Sequence, residues 1–74
     1  MDAPQLSRDD ALRIAEADAL RAYGDLSIYR VEVAETVRGW EVQYRIDRPR
    51  MAGGGPSYLI DPATGAIVWK RYCQ

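Results

Sequence analysis

The stretch Gly39-Trp40-Glu41-Val42-Gln43-Tyr44-Arg45-Ile46-Asp47 decides the fold. Trp40, Val42, Tyr44 and Ile46 alternate with Glu41, Gln43, Arg45 and Asp47. Successive side chains of a strand point to opposite faces, so all four apolar residues share one side. A strand patterned this way belongs to an antiparallel sheet with one face on a core and one in water. Upstream, Tyr29, Val31 and Val33 alternate with Arg30, Glu32 and Ala34, which reads as a second strand of the same kind. Between the two, Thr36-Val37-Arg38-Gly39 reads as a turn, with Gly39 free to take positive φ.

Downstream, residues 48–56 read as a loop containing Pro49 and the run Gly53-Gly54-Gly55-Pro56. Residues 57–61 form a third strand, Pro62-Ala63-Thr64-Gly65 a tight turn, and residues 66–72 a fourth strand. If Asp61 pairs with Ala66, then Ile60 faces Ile67 and Tyr58 faces Trp69 on one side, and Leu59 and Val68 share the other. Trp40, Tyr44, Tyr58 and Trp69 are then the expected aromatic core.

Ahead of the strands, residues 8–23 hold Ala11, Leu12, Ile14, Ala15, Ala19, Leu20 and Ala22 with no Gly or Pro. Ala11, Ala15, Ala19 and Ala22 recur at steps of three and four, which places them on one side of a helix. A face of alanines lets a helix lie close to a sheet. Ile14 and Leu12 flank that stripe, and Arg13, Glu16 and Arg21 point outward. Ser7 is a good N-cap, Asp10 completes a weakened capping box, and Asp9 and Asp10 suit the positive end of the helix dipole. Gly24 supplies the C′ position that ends the helix. The expected architecture is α+β: one N-terminal helix on one face of a four-stranded antiparallel meander, with residues 1–6 a loose lead-in, 7–24 the helix and 27–72 the sheet. The whole chain is one domain.

Composition excludes several chemistries. The 74 residues include no His and a single Cys. Cys73 therefore has no intramolecular disulfide partner, and it reads as an incidental terminal thiol. Without His there is no ordinary zinc site and no Ser-His or Cys-His nucleophile pair. Ten basic residues against eleven acidic ones lack the excess expected of a nucleic-acid binder. No run approaches the ~20 apolar residues of a membrane span. The start Met1-Asp2-Ala3-Pro4-Gln5 is polar, with no visible signal peptide. The chain is expected to be cytoplasmic, or periplasmic or secreted if a signal was removed.

Candidate sites are few. The glycine run beside Arg48 and Arg50 lacks the Gly-x-x-x-x-Gly-Lys-Ser/Thr spacing and the following helix of a phosphate loop, so it reads as a wide connection in which glycines permit a bulge. Asp9 and Asp10 are neighbours on a helix, point apart and cannot chelate together. No catalytic, cofactor-binding or metal-ligating set emerges, and the chain is expected not to be an enzyme. What remains is a surface: the outer sheet face with Arg30, Glu32, Glu41, Gln43 and Arg45, the loop arginines Arg48 and Arg50, and the apolar pair Leu59 and Val68. These nine residues are the candidate partner-binding set.

The order of motifs carries a resemblance. An alanine-rich helix, Ala11-Leu12-Arg13-Ile14-Ala15-Glu16-Ala17, is followed by Tyr23-Gly24, then Gly39-Trp40-Glu41-Val42, then Gly53-Gly54-Gly55-Pro56, and finally Ile60-Asp61 with Thr64-Gly65-Ala66-Ile67. This resembles the small immunity proteins of nuclear-transport-factor-like (cystatin-like) fold attributed to bacterial polymorphic toxin systems, over about residues 10–72. The resemblance implies a non-enzymatic protein that neutralises a partner toxin. The second half is also similar to a PepSY domain, which implies a mostly extracytoplasmic domain linked to peptidase inhibition or sensing. A third expectation, from the fold alone, is a structural module that self-associates as a homodimer through the outer sheet face or an edge strand.

Overall fold

Ser7 starts the helix as the sequence requires. Its Oγ accepts the Asp10 amide at 3.2 Å, and the Asp10 carboxylate accepts the Ser7 amide at 3.3 Å. α1 (Arg8–Tyr23) then runs to Gly24, whose φ of 82° and amide N–H, donated to the Leu20 carbonyl at 2.8 Å, close its last turn. The computed structural model describes residues 6–47 and 54–72. After α1 come β1 (Tyr29–Thr36), β2 (Gly39–Ile46), β3 (Gly54–Ile60) and β4 (Ile67–Arg71), all antiparallel and paired in chain order. The fold is α+β, one helix packed on a four-stranded antiparallel meander. Residues 48–53, including Arg48, Arg50 and part of the expected loop, lie outside the described residues, as do residues 1–5 and Cys73.

The first hairpin matches its sequence. Thr36 pairs with Gly39 across Val37 and Arg38, and Gly39 takes φ 136°. Gly39 has a packing reason as well. A Cβ there would stand 2.5 Å from the Ile60 carbonyl oxygen of the next strand.

Several sequence expectations need correction. First, Leu6 is not part of a loose lead-in. Its amide donates to the Pro62 carbonyl at 2.7 Å and its carbonyl accepts Trp40 Nε1 at 3.1 Å, so it fastens the helix entry to the sheet.

Second, β3 starts at Gly54 rather than at 57, so Gly55 and Pro56 belong to the sheet and are buried. Gly55 sits against the Tyr29 ring and Tyr44, where a Cβ would come within 2.9 Å of both. The glycine is there because two tyrosines occupy the space a side chain would need. A register shift follows: Gln43 pairs with Ser57 but Arg45 with Gly54, which leaves one extra residue on β3.

Third, the β3–β4 hairpin slips. Ile60 faces Ile67 as expected, but the register then shifts, so that Leu59 pairs with Trp69 and Tyr58 with Lys70. Val68 is the extra residue, 61% exposed. Because side chains alternate, one inserted residue sends every later side chain of β4 to the other face. Trp69 is therefore 50% exposed on the outer face and not in the core, while Lys70 comes to the helix side.

The core holds Ala11, Ala15 and Ala19 of α1 against Val42, Tyr44, Tyr58 and Ile60, with Trp40, Val33 and Ile67 packed around them. Ala22, expected on this face, is exposed, and Asp18 is buried in its stead.

Candidate functional site

The strand registers arrange the outer sheet face in rows. One row runs Ala34, Glu41, Leu59, Trp69 across all four strands. The next runs Glu32, Gln43, Ser57, Arg71. A third places Arg30 beside Arg45. Six of the nine candidate residues, Arg30, Glu32, Glu41, Gln43, Arg45 and Leu59, thus share one face. Val68 stands in the bulge without a strand partner, and Arg48 and Arg50 lie outside the described residues.

The face divides in two. On the β1 side its charges satisfy one another: Arg45 Nε donates to Glu32 Oε1 at 2.5 Å, Arg45 Nη2 to Gln43 Oε1 at 2.7 Å, and Arg30 approaches Glu32 at 3.7 Å. Toward β4 lies a half-open groove of about 430 Å³. Leu59 and Trp69 supply its apolar part, and Arg38, Glu41, Gln43 and Arg71 its polar rim. Among the described residues Arg38 and Arg71 have no ion-pair partner. Among the described residues, the strands of this face carry Arg30, Arg45 and Arg71 with Glu32 and Glu41, and Arg38 lines the groove from the β1–β2 turn. Trp and Arg, which line this groove together, are residue types enriched at protein interfaces.

Trp69, Arg38 and Arg71 are absent from the sequence-derived set. Strict alternation puts Trp69 in the core, and only the bulge at Val68 turns it outward. Arg38 lies in a turn and Arg71 near the chain end, where sequence alone does not assign a face.

The opposite face carries a second polar centre. Asp18, 7% exposed, accepts the Tyr58 hydroxyl at 3.0 Å, the Tyr72 hydroxyl at 2.5 Å and Lys70 Nζ at 3.3 Å, and it forms an ion pair with Arg21. The Tyr72 hydrogen bond, then those of Arg21, Tyr58 and Lys70, hold its carboxyl far below the usual carboxylate range despite the opposing effect of burial. Burial above all, then Asp18, holds the Tyr58 hydroxyl protonated well above the usual tyrosine range. All five tyrosines of the chain join this centre. Their rings meet edge-on in the order Tyr72, Tyr23, Tyr29, Tyr44, Tyr58, at centroid distances of 5.8, 6.0, 6.4 and 6.5 Å. The two Asp18 oxygens accept from four donors, two each, so this centre braces the helix against the sheet.

Among the described residues no three His, Cys, Asp or Glu side chains are grouped to hold a metal, and no helix is long and apolar enough to cross a membrane. The chain matches no protein-family model, no curated protein and no solved structure.

Proposed function

We propose that this chain is a non-enzymatic protein-binding domain of the immunity type, which docks and neutralises a toxin partner through the β2–β4 half of its outer sheet face. The observation that carries this reading is Trp69, turned out of the core by a bulge and set beside Leu59 in a groove that Arg38 and Arg71 also line. A half-exposed tryptophan next to an apolar neighbour in a groove is the kind of side chain that anchors a partner. The partner surface that fits has an apolar projection for the groove and acidic side chains for Arg38 and Arg71. The motif order of helix, Gly-Trp strand, glycine-rich segment and Asp-x-x-Thr-Gly hairpin supports the immunity assignment within the wider class of binding domains.

The test is calorimetric titration of the purified chain against the product of the gene immediately upstream in its native genome. Trp69→Ala is expected to weaken binding by roughly 30-fold or more, the size of an interfacial hot spot, and Arg71→Glu to weaken it further. Undiminished affinity in both variants excludes this face. Binding to a neighbouring peptidase, with no affinity for a toxin, replaces the immunity reading with the PepSY-like one.

A further inference from the structure

The helix lies over β2 and β3, and the sheet runs past it on the β1 side, where Val31 is 37% exposed and Val33 half-buried. β1 is an edge strand of eight residues with no register shift along its pairing to β2. The other edge, β4, has five residues and a bulge, which spoils it for further pairing. The Asp47 amide donates to the Ile28 carbonyl at 2.7 Å, so Ile28 turns toward β2. Bonding alternates along an antiparallel ladder. Arg30, Glu32 and Ala34 therefore also bond β2, while Val31, Val33 and Glu35 turn their amides and carbonyls to the open edge. Tyr29 marks where that edge begins, because its amide is already bonded to the Leu26 carbonyl at 3.0 Å.

Charged residues on an edge strand usually guard against pairing. Here their order makes one register self-complementary. We propose that β1 pairs antiparallel with β1 of a second copy, about a two-fold axis through Val31, to give a continuous eight-stranded sheet. At the axis Val31 exchanges both backbone bonds with its counterpart, and the Val33 amide donates to the Tyr29 carbonyl across the interface. On the outer face Arg30 stands opposite Glu32 of the other copy and Glu32 opposite Arg30, in the non-hydrogen-bonded positions where side chains come closest. On the inner face Val31 meets Val31 and Tyr29 meets Val33, covering the apolar strip the helix leaves bare. Moving the axis to Glu32 sets the two Glu32 side chains against each other. Moving it to Val33 leaves the charges opposite Ala34 and Thr36. Only the Val31 register is favourable on both faces. The contact is isologous and closes at two copies. It uses the β1 edge and leaves the Trp69 groove free.

The experiment is sedimentation equilibrium on the full chain and on two charge variants, with circular dichroism to confirm that each is folded. Wild type is expected to dimerise reversibly. Arg30→Glu alone and Glu32→Arg alone each place like charges opposite one another twice, and each weakens the dimer by about tenfold or more. An equimolar mixture of the two variants restores wild-type affinity, because every cross-axis pair is then of opposite sign. A wild type that stays monomeric up to about millimolar concentration overturns the proposal. Single variants that associate like wild type overturn it too, as does a mixture no tighter than its components; both outcomes point to dimerisation by another surface.

Discussion

Asp18 and Tyr58, forty residues apart in the chain, are joined by a 3.0 Å hydrogen bond beneath the helix. The bond ties the middle of α1 to the middle of β3, and Tyr72 and Lys70 extend the same tie to the end of β4. It is a polar contact set into a face otherwise made of alanines. Replacing Asp18 with Asn leaves several donors without a charged acceptor. Asp18→Asn is expected to destabilise the fold by about 1–3 kcal/mol, read as a lowered thermal midpoint. An unchanged midpoint would mean the cluster is solvated rather than bracing.

The same group contributes to the acid response. The carboxyl of Asp18 is held far below its ordinary value, the Tyr72 hydroxyl being the largest cause, so below about pH 4 the unfolded chain binds a proton that the folded chain does not. Its contribution is complete above about pH 4 and declines as the pH falls further. Urea midpoints measured from pH 6 downward should fall more steeply for wild type than for Asp18→Asn. Parallel slopes would remove Asp18 from the acid response. At the other extreme the raised value of Tyr58 predicts stability present below about pH 10 and lost above it, a loss that Tyr58→Phe should reduce.

Gly55→Ala tests the reading of the glycine-rich segment. A methyl group there meets the Tyr29 ring and Tyr44 at 2.9 Å, and the strand on both sides is held by pairing. Overpacking of this kind costs about 1–3 kcal/mol. Gly24→Ala is a useful contrast. Nothing lies within 4 Å of its Cβ position, so any cost comes from its φ of 82° alone. A larger loss at Gly24 than at Gly55, by chemical denaturation, would contradict the packing explanation.

Trp69 and Ile60 should separate stability from binding. Ile60 is fully buried between helix and sheet, and Ile60→Ala is expected to cost about 2–5 kcal/mol. Trp69→Ala removes a larger side chain from a half-exposed position, and the expected loss is under about 1 kcal/mol. Wild-type tryptophan fluorescence should also show one emitter quenched readily by iodide, and Trp69→Phe should abolish that fraction. A Trp69 variant as unstable as Ile60→Ala would return Trp69 to the core.

The sequence by itself determined the elements. Ser7 and Gly24 bound the helix because capping is local chemistry, and the alternation from Trp40 to Ile46 specified a half-buried strand because its period matches the pleat. The hairpin at Val37–Arg38 and the turn at Asp61–Ala66 followed from residues adjacent in the chain. Six members of the outer-face set were legible for the same reason. Tertiary structure alone decided what depended on register and on space. The bulge at Val68 moved Trp69 outward and Lys70 inward, and no local pattern encodes where a ladder slips. Gly55 joined a strand because Tyr29 and Tyr44, both distant in sequence, needed its empty side. Asp18 is buried, where helical periodicity expected an alanine stripe, because Tyr58, Lys70 and Tyr72 converge on it from positions 40 and more residues away. A carboxylate is tolerated in such a place only when its donors are already assembled, and assembling them is the work of the fold.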